Sequence, residues 1–173
     1  MSKTKSVTLI VLVTSLVSLR IVYGLTGSRP QPSPALHIDI PTKLQNANVV
    51  IDMGHLVFGG DTPFALGDIT LLTNDLRDWN AQANVIVIFH GDAAYLVVND
   101  ETYDHNRRVS TGNRYKDVLQ GLMQKGVQLE LCGATAKANH WTNENLLPGV
   151  KVNVNAMVRL TQLEQQGYTM IYQ

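Results

Sequence analysis

The chain has 173 residues, of which 45% are hydrophobic and only 16% charged. That composition supplies one buried core, leaves little room for a second domain and excludes an intrinsically disordered chain. Fourteen basic residues balance fourteen acidic ones and the pI is about 7.0, so no basic field exists to attract nucleic acid.

The first stretch reads as an address rather than as part of the fold. Lys3 and Lys5 precede an apolar run from Val7 to Leu19, and Val22-Tyr23-Gly24 supplies a cleavage-compatible end, the plan of a secretory signal peptide. The run is shorter than the roughly 20 apolar residues of a membrane span, and Arg20 interrupts it. Cleavage before Leu25 leaves eleven basic against fourteen acidic residues, a net charge near −3. The expectation is an exported protein, periplasmic or secreted, with no stable membrane span after processing. Retention of the segment as an anchor is the alternative. Residues 25–45 carry Pro30, Pro32, Pro34 and Pro41 and read as an extended arm.

From residue 46 to 173 short apolar runs alternate with amphipathic segments. Ala47 to Met53 reads as a buried strand. Thr62 reads as an N-cap before a first-turn Pro63, opening a helix with Ala65, Ile69, Leu72, Leu76 and Trp79 on one stripe. Asn84 to His90 is a second continuous apolar strand, and Asn99 to Asn113, with Arg107 and Arg108, reads as a polar, solvated loop able to move over a crevice. A helix over Asn113 to Lys125 closes at Gly126. Val127 to Cys132, Val150 to Val154 and Tyr168 to Tyr172 complete the strands, with a helix carrying Met157, Leu160 and Leu163 before the last. Apolar runs without alternation, separated by helices, define an α/β fold: a single domain with a mostly parallel sheet covered on both faces.

In open α/β sheets the functional crevice lies beyond the carboxyl ends of the strands. Two expected strands end in reactive residues, one at His90-Gly91-Asp92 and the other at Cys132-Gly133-Ala134-Thr135. If those strands are parallel neighbours, His90 and Cys132 open onto the same edge. Ala134 to Ala138 can start a helix, whose free N–H groups and dipole favour a Cys132 thiolate, and Lys137 can add positive charge. Such a thiolate is a nucleophile for thioester formation, persulfide carriage or disulfide exchange. The other reading of Cys132 is a small buried hydrophobe at a strand end. His90 is either a base or donor for that thiol or a loop residue bonded to the backbone. Asp92 either caps the segment Ala93 to Val98 or joins the site, and Gly91 permits a tight turn or a positive φ.

The single cysteine excludes an internal disulfide and a cysteine-rich zinc site. None of the five histidines (His37, His55, His90, His105, His140) forms an HxH, HxxxH or HExxH spacing, so no local metal-ligand pair is encoded. GxGxxG, GxxxxGK[ST] and GxSxG are absent, and no cofactor is expected.

The residues VIVIFHGDAAYLVV (85–98), NRYKDVLQGLMQKGVQLELCGAT (113–135) and LLPGVKVNVNAMVRLTQLEQQGYT (146–169), in this order, resemble the DsrE/DsrF-like family, small sulfur-relay proteins of the YchN-like fold. The resemblance covers essentially all of the region after the arm. It implies a three-layer α/β domain over 46–173, homo-oligomers (trimers or hexamers), and an acceptor cysteine that carries sulfane sulfur as a persulfide. By position that cysteine is Cys132, set by Gly133 and Thr135, with His90, Gly91 and Asp92 as the neighbouring loop. A protein that donates or accepts the sulfur is the implied partner. Sulfur relays of this kind work in the cytoplasm, whereas residues 1–24 read as an export signal. The contrasting reading is a non-catalytic module that binds a small ligand or assembles into oligomers, with Cys132 buried and inert.

Overall fold

Why the apolar runs become central strands is visible in the computed structural model, which describes residues 35–173. The expected export segment 1–24 and the arm residues 25–34 lie outside the described residues, and residues 35–45 contain no helix or strand. Strand β1 (Asn46–Met53) turns Val49, Ile51 and Met53 to one face and Val50 to the other, and all four are buried. A strand apolar on both faces belongs inside a covered parallel sheet.

Strands β2 (Phe58–Gly59) and β3 (Thr62–Pro63) form a small antiparallel hairpin. This corrects the expected cap. Pairing with Gly59 draws Thr62 into the hairpin, Pro63 becomes the N-cap in an extended conformation, and helix α1 (Phe64–Asp78) begins after it. The first helical N–H, of Phe64, goes to Val57 O at 2.9 Å instead of to a side chain. Helix α1 buries Ala65, Leu66, Ile69 and Leu76.

Strand β4 (Gln82–Phe89) is followed by a 3-10 segment, Gly91–Val97, whose N-cap is His90 with no side-chain bond, so Asp92 does not cap it. The expected mobile loop contains helix α2 (Asp100–Arg107). Asn99 Oδ1 accepts from Thr102 N at 2.9 Å, and Asp100 and Glu101 complement the dipole in the first turn. Tyr103 is buried against Tyr95 and Tyr115, while Asn113 donates to Leu96 O and Val98 O at 2.8 and 2.7 Å. A capped helix with a buried aromatic and a buried amide anchor is a wall, not a flap.

Helix α3 (Lys116–Gln124) buries Leu119 and Leu122, and strand β5 (Gln128–Cys132) leads directly into helix α4 (Gly133–Ala138). Strand β6 (Lys151–Asn153), helix α5 (Ala156–Gln165) and strand β7 (Thr169–Tyr172) complete the chain. The five long-range strands run parallel in the order β6-β5-β4-β1-β7. Helices α1 and α3 and the 3-10 segment cover one face with a large apolar core. Helix α5 covers the other through Ala156, Leu160 and Leu163, packed on Val50, Ile86 and Ile88. This is the expected three-layer α/β domain. No described helix is long and apolar enough to cross a membrane.

One carboxylate is buried in the α5 face. Glu130, 3% exposed, receives Arg159 Nε at 3.1 Å on each oxygen and Arg159 Nη2 at 2.9 Å, with Asn153 Nδ2 at 3.0 Å and Gln128 Nε2 at 2.7 Å. Burial pushes this carboxyl up, but the bonds from Arg159, Asn153 and Gln128 outweigh it and hold it below the ordinary glutamate value. Its stabilisation is therefore complete above the ordinary carboxyl range and is lost as pH falls through the lowered value. Arg159→Leu, which strands the charge, is expected to destabilise the fold by about 3 kcal/mol. Glu130→Gln is expected to flatten the acid limb of the stability curve, both read by denaturant unfolding against pH.

Candidate functional site

Because β1, β4 and β5 are parallel, their carboxyl ends emerge together. The last register pairs there are Met53 with Phe89 and Phe89 with Leu131, so His90 and Cys132 each stand one residue beyond a shared rung. His90 N–H extends the ladder to Met53 O at 3.0 Å, while its ring turns to β1: Nε2 lies 2.6 Å from Asp52 Oδ1. An ionised carboxylate only accepts, so Nε2 carries the proton in that bond. The ring packs across Gly54, where a Cβ would come within 2.5 Å of it, so only glycine leaves room for His90 in this position.

Cys132 ends β5 and is the N-cap of α4, with 4% of its surface exposed. Its Sγ accepts from Ala156 N at 3.3 Å, the first residue of α5. Two helix N-termini thus converge on one sulfur. Burial raises the thiol pKa, but the Thr135 N–H and hydroxyl, the Ala156 N–H and the Ala134 N–H together bring it below that of an ordinary cysteine. Gly133 makes this convergence feasible: a Cβ there would overlap Asn153 O and crowd Val154 O, pushing the β6–α5 connection, and with it Ala156, away from the sulfur. Lys137 sits in the last turn of α4, at the far end of that helix from Cys132.

Thr135 ties the two strand ends together. Its Oγ1 accepts from Gly91 N at 3.3 Å, its position beside the sulfur helps lower the thiol pKa, and Gly91 holds the positive φ of 52° that the turn requires. The structure therefore brings Cys132, Gly133, Thr135, His90 and Gly91 into one edge. Asp92 belongs to the same turn through Asp92 N–H to Gly54 O at 3.2 Å, and its side chain lines a neighbouring cavity. That cavity, about 410 Å³, is walled by Gly91, Asp92, Phe58, Tyr95, Arg107 and Trp141 among others, but not by Cys132. Arg107 is exposed, as expected, and also lies over the Tyr95 ring with 4.2 Å to its centroid. Among the described residues no three His, Cys, Asp or Glu side chains gather as a metal site.

Sequence reasoning missed Asp52, Gly54, Ala156 and the cavity residues. For Asp52 a signal exists: it is the one acid in the apolar run ANVVIDM. Ala156 acts through its backbone N–H and leaves no mark in a one-dimensional pattern.

The sequence profile of the DsrE/DsrF-like family matches residues 43–172, and the chain belongs to that family, which is associated with sulfur relay. Among solved structures, the YchN protein of E. coli is 16% identical with a TM-score of 0.54, over 73% of this chain and 99% of that one. MTH1491 from Methanobacterium thermoautotrophicum, described as a protein of unknown function, is 17% identical with a TM-score of 0.50, over 74% of this chain and 98% of that one. Both share the fold. No curated protein matches the chain.

Iodoacetamide alkylation of Cys132, followed against pH, is expected to show a midpoint below that of a free cysteine and a plateau rate slowed by burial. Thr135→Val should move the midpoint up; Asp52→Asn, which touches His90 and not the sulfur, should leave it in place.

Proposed function

We infer that the protein is a sulfur carrier in which Cys132 accepts sulfane sulfur as a persulfide. The observation that carries this reading is the seat of Cys132 Sγ, at the N-cap of α4 and bonded by the first N–H of α5 at 3.3 Å, which favours the thiolate against the cost of its burial. The thiolate attacks the terminal sulfur of a donor persulfide. The Cys132 S–S bond forms as the donor's S–S bond breaks, and the donor leaves as a thiolate. The Ala156 N–H stays on Sγ, now the inner sulfur, and the reverse exchange passes the outer sulfur to a recipient thiolate while Cys132 leaves as the thiolate. His90, oriented by Asp52, is the protonatable group at the same edge, suited to delivering a proton to a departing thiolate. Gly133, Thr135 and Gly91 support by geometry, and Asp92 belongs to the neighbouring turn.

Export through residues 1–24 is part of this proposal, supported by the basic start and short apolar run. In an oxidising compartment the near-complete burial of the thiol protects it from stray oxidation. Assembly into a homo-oligomer of three or six chains is supported by an exposed apolar patch at the start of α5, where Met157 and Val158 of the helix and Val154 just before it stand open to solvent.

A second reading, a non-catalytic ligand-binding or assembly module, is favoured by one observation: Cys132 is 4% exposed and does not line the adjacent cavity. Intact-mass spectrometry after polysulfide treatment separates the two. The carrier gains one sulfur atom, loses it on reduction, and gains none as Cys132→Ser. A thiol inert until denaturation establishes the second reading, and the same mass reports whether the chain is cut before Leu25. Light scattering on size-exclusion chromatography is expected to show the oligomer, and Met157→Glu to shift it to monomer while leaving Cys132 alkylation on its wild-type pH profile.

A further inference from the structure

The cavity beside the Gly91-Asp92 turn carries a second, separate chemistry. Its walls place three aromatic side chains, Phe58, Tyr95 and Trp141, around a space of about 410 Å³, within the roughly 300–1,000 Å³ of small-molecule sites. Two opposite charges line the same space. Asp92 enters from the start of the 3-10 segment and Arg107 from the last turn of α2. Among the described residues neither forms an ion pair, with the other or with anything else. Arg107 is nonetheless held, its guanidinium stacked over Tyr95 at 4.2 Å from the centroid, which leaves its N–H edge available. Both charges are close enough to act on the Tyr95 hydroxyl. Burial raises its pKa, Arg107 opposes that, and Tyr103 and Asp92 add to it.

A cation and an anion that line one cavity without pairing, beside aromatic side chains, match a small molecule that carries both charges and an apolar body. We propose that this cavity binds a small zwitterion of the amino-acid class, its carboxylate on Arg107, its ammonium on Asp92 and its side chain against Phe58, Tyr95 and Trp141. An anion alone would meet the like charge of Asp92 in the same cavity, and a cation alone would leave Arg107 uncompensated. The site adjoins Cys132 through Gly91 but does not include it, so the inference holds whether or not Cys132 carries sulfur.

Saturation-transfer NMR on the full chain tests it with three probes: L-phenylalanine, N-acetyl-L-phenylalanine, which lacks the ammonium, and L-phenylalaninamide, which lacks the carboxylate. Phenylalanine is expected to receive saturation and each analogue to bind at least tenfold more weakly. Arg107→Gln is expected to erase the preference over the amide, and Asp92→Asn the preference over the N-acetyl compound. Cys132→Ser should change none of these. Absence of transfer to all three probes, or phenylalanine binding that survives both substitutions unchanged, overturns the proposal. N-acetyl-phenylalanine binding as well as phenylalanine overturns the ammonium assignment and with it the zwitterion.

Discussion

Everything chemical in this protein depends on the common direction of its five strands. Parallel pairing of β1, β4 and β5 carries Asp52, His90 and Cys132 to the same edge, although they are far apart in sequence. An antiparallel arrangement would have sent His90 and Cys132 to opposite ends of the sheet. The parallel arrangement also demands cover on both faces, which the helices supply through two separate apolar cores.

At that edge the controlling contact is the close passage of the β6–α5 connection over Gly133. It sets the N-terminus of α5 against a sulfur already seated at the N-terminus of α4, so the Ala156 N–H bonds the sulfur and the start of α4 adds to the field that lowers its pKa. The opposing effects on Cys132 then have a clear winner: desolvation raises the thiol pKa and the donors lower it further. Glu130, two residues earlier on the same strand face, follows the same logic with side-chain donors. The buried Glu130 carboxylate is tolerable on this face because both of its oxygens are hydrogen-bonded.

The cavity beside the Gly91 turn is lined by aromatic side chains and by Asp92 and Arg107, and Cys132 is not among its walls. Its stability comes from α2, whose cap and buried Tyr103 hold Arg107 in place over Tyr95. One turn thus faces two environments, a dry sulfur on one side and an open charged cavity on the other.

The sequence by itself determined the fold class, the strands that carry Val, Ile and Leu on both faces, and the placement of His90 and Cys132 at strand ends, because apolar periodicity and chain breaks are local properties. It also carried the family, through the order of three segments spread along the domain. It misread α2 as a loop, since eight mostly polar residues show no apolar stripe and the anchoring partners, Tyr95 and Tyr115, come from elsewhere. It misplaced the cap of α1, because the pairing of Gly59 with Thr62 is not local to the helix. Only the tertiary structure decided which groups reach the sulfur, that Asp52 orients His90, and that Asp92 and Arg107 share a cavity. Those facts depend on backbone N–H directions and on packing across strands, and a linear pattern contains neither.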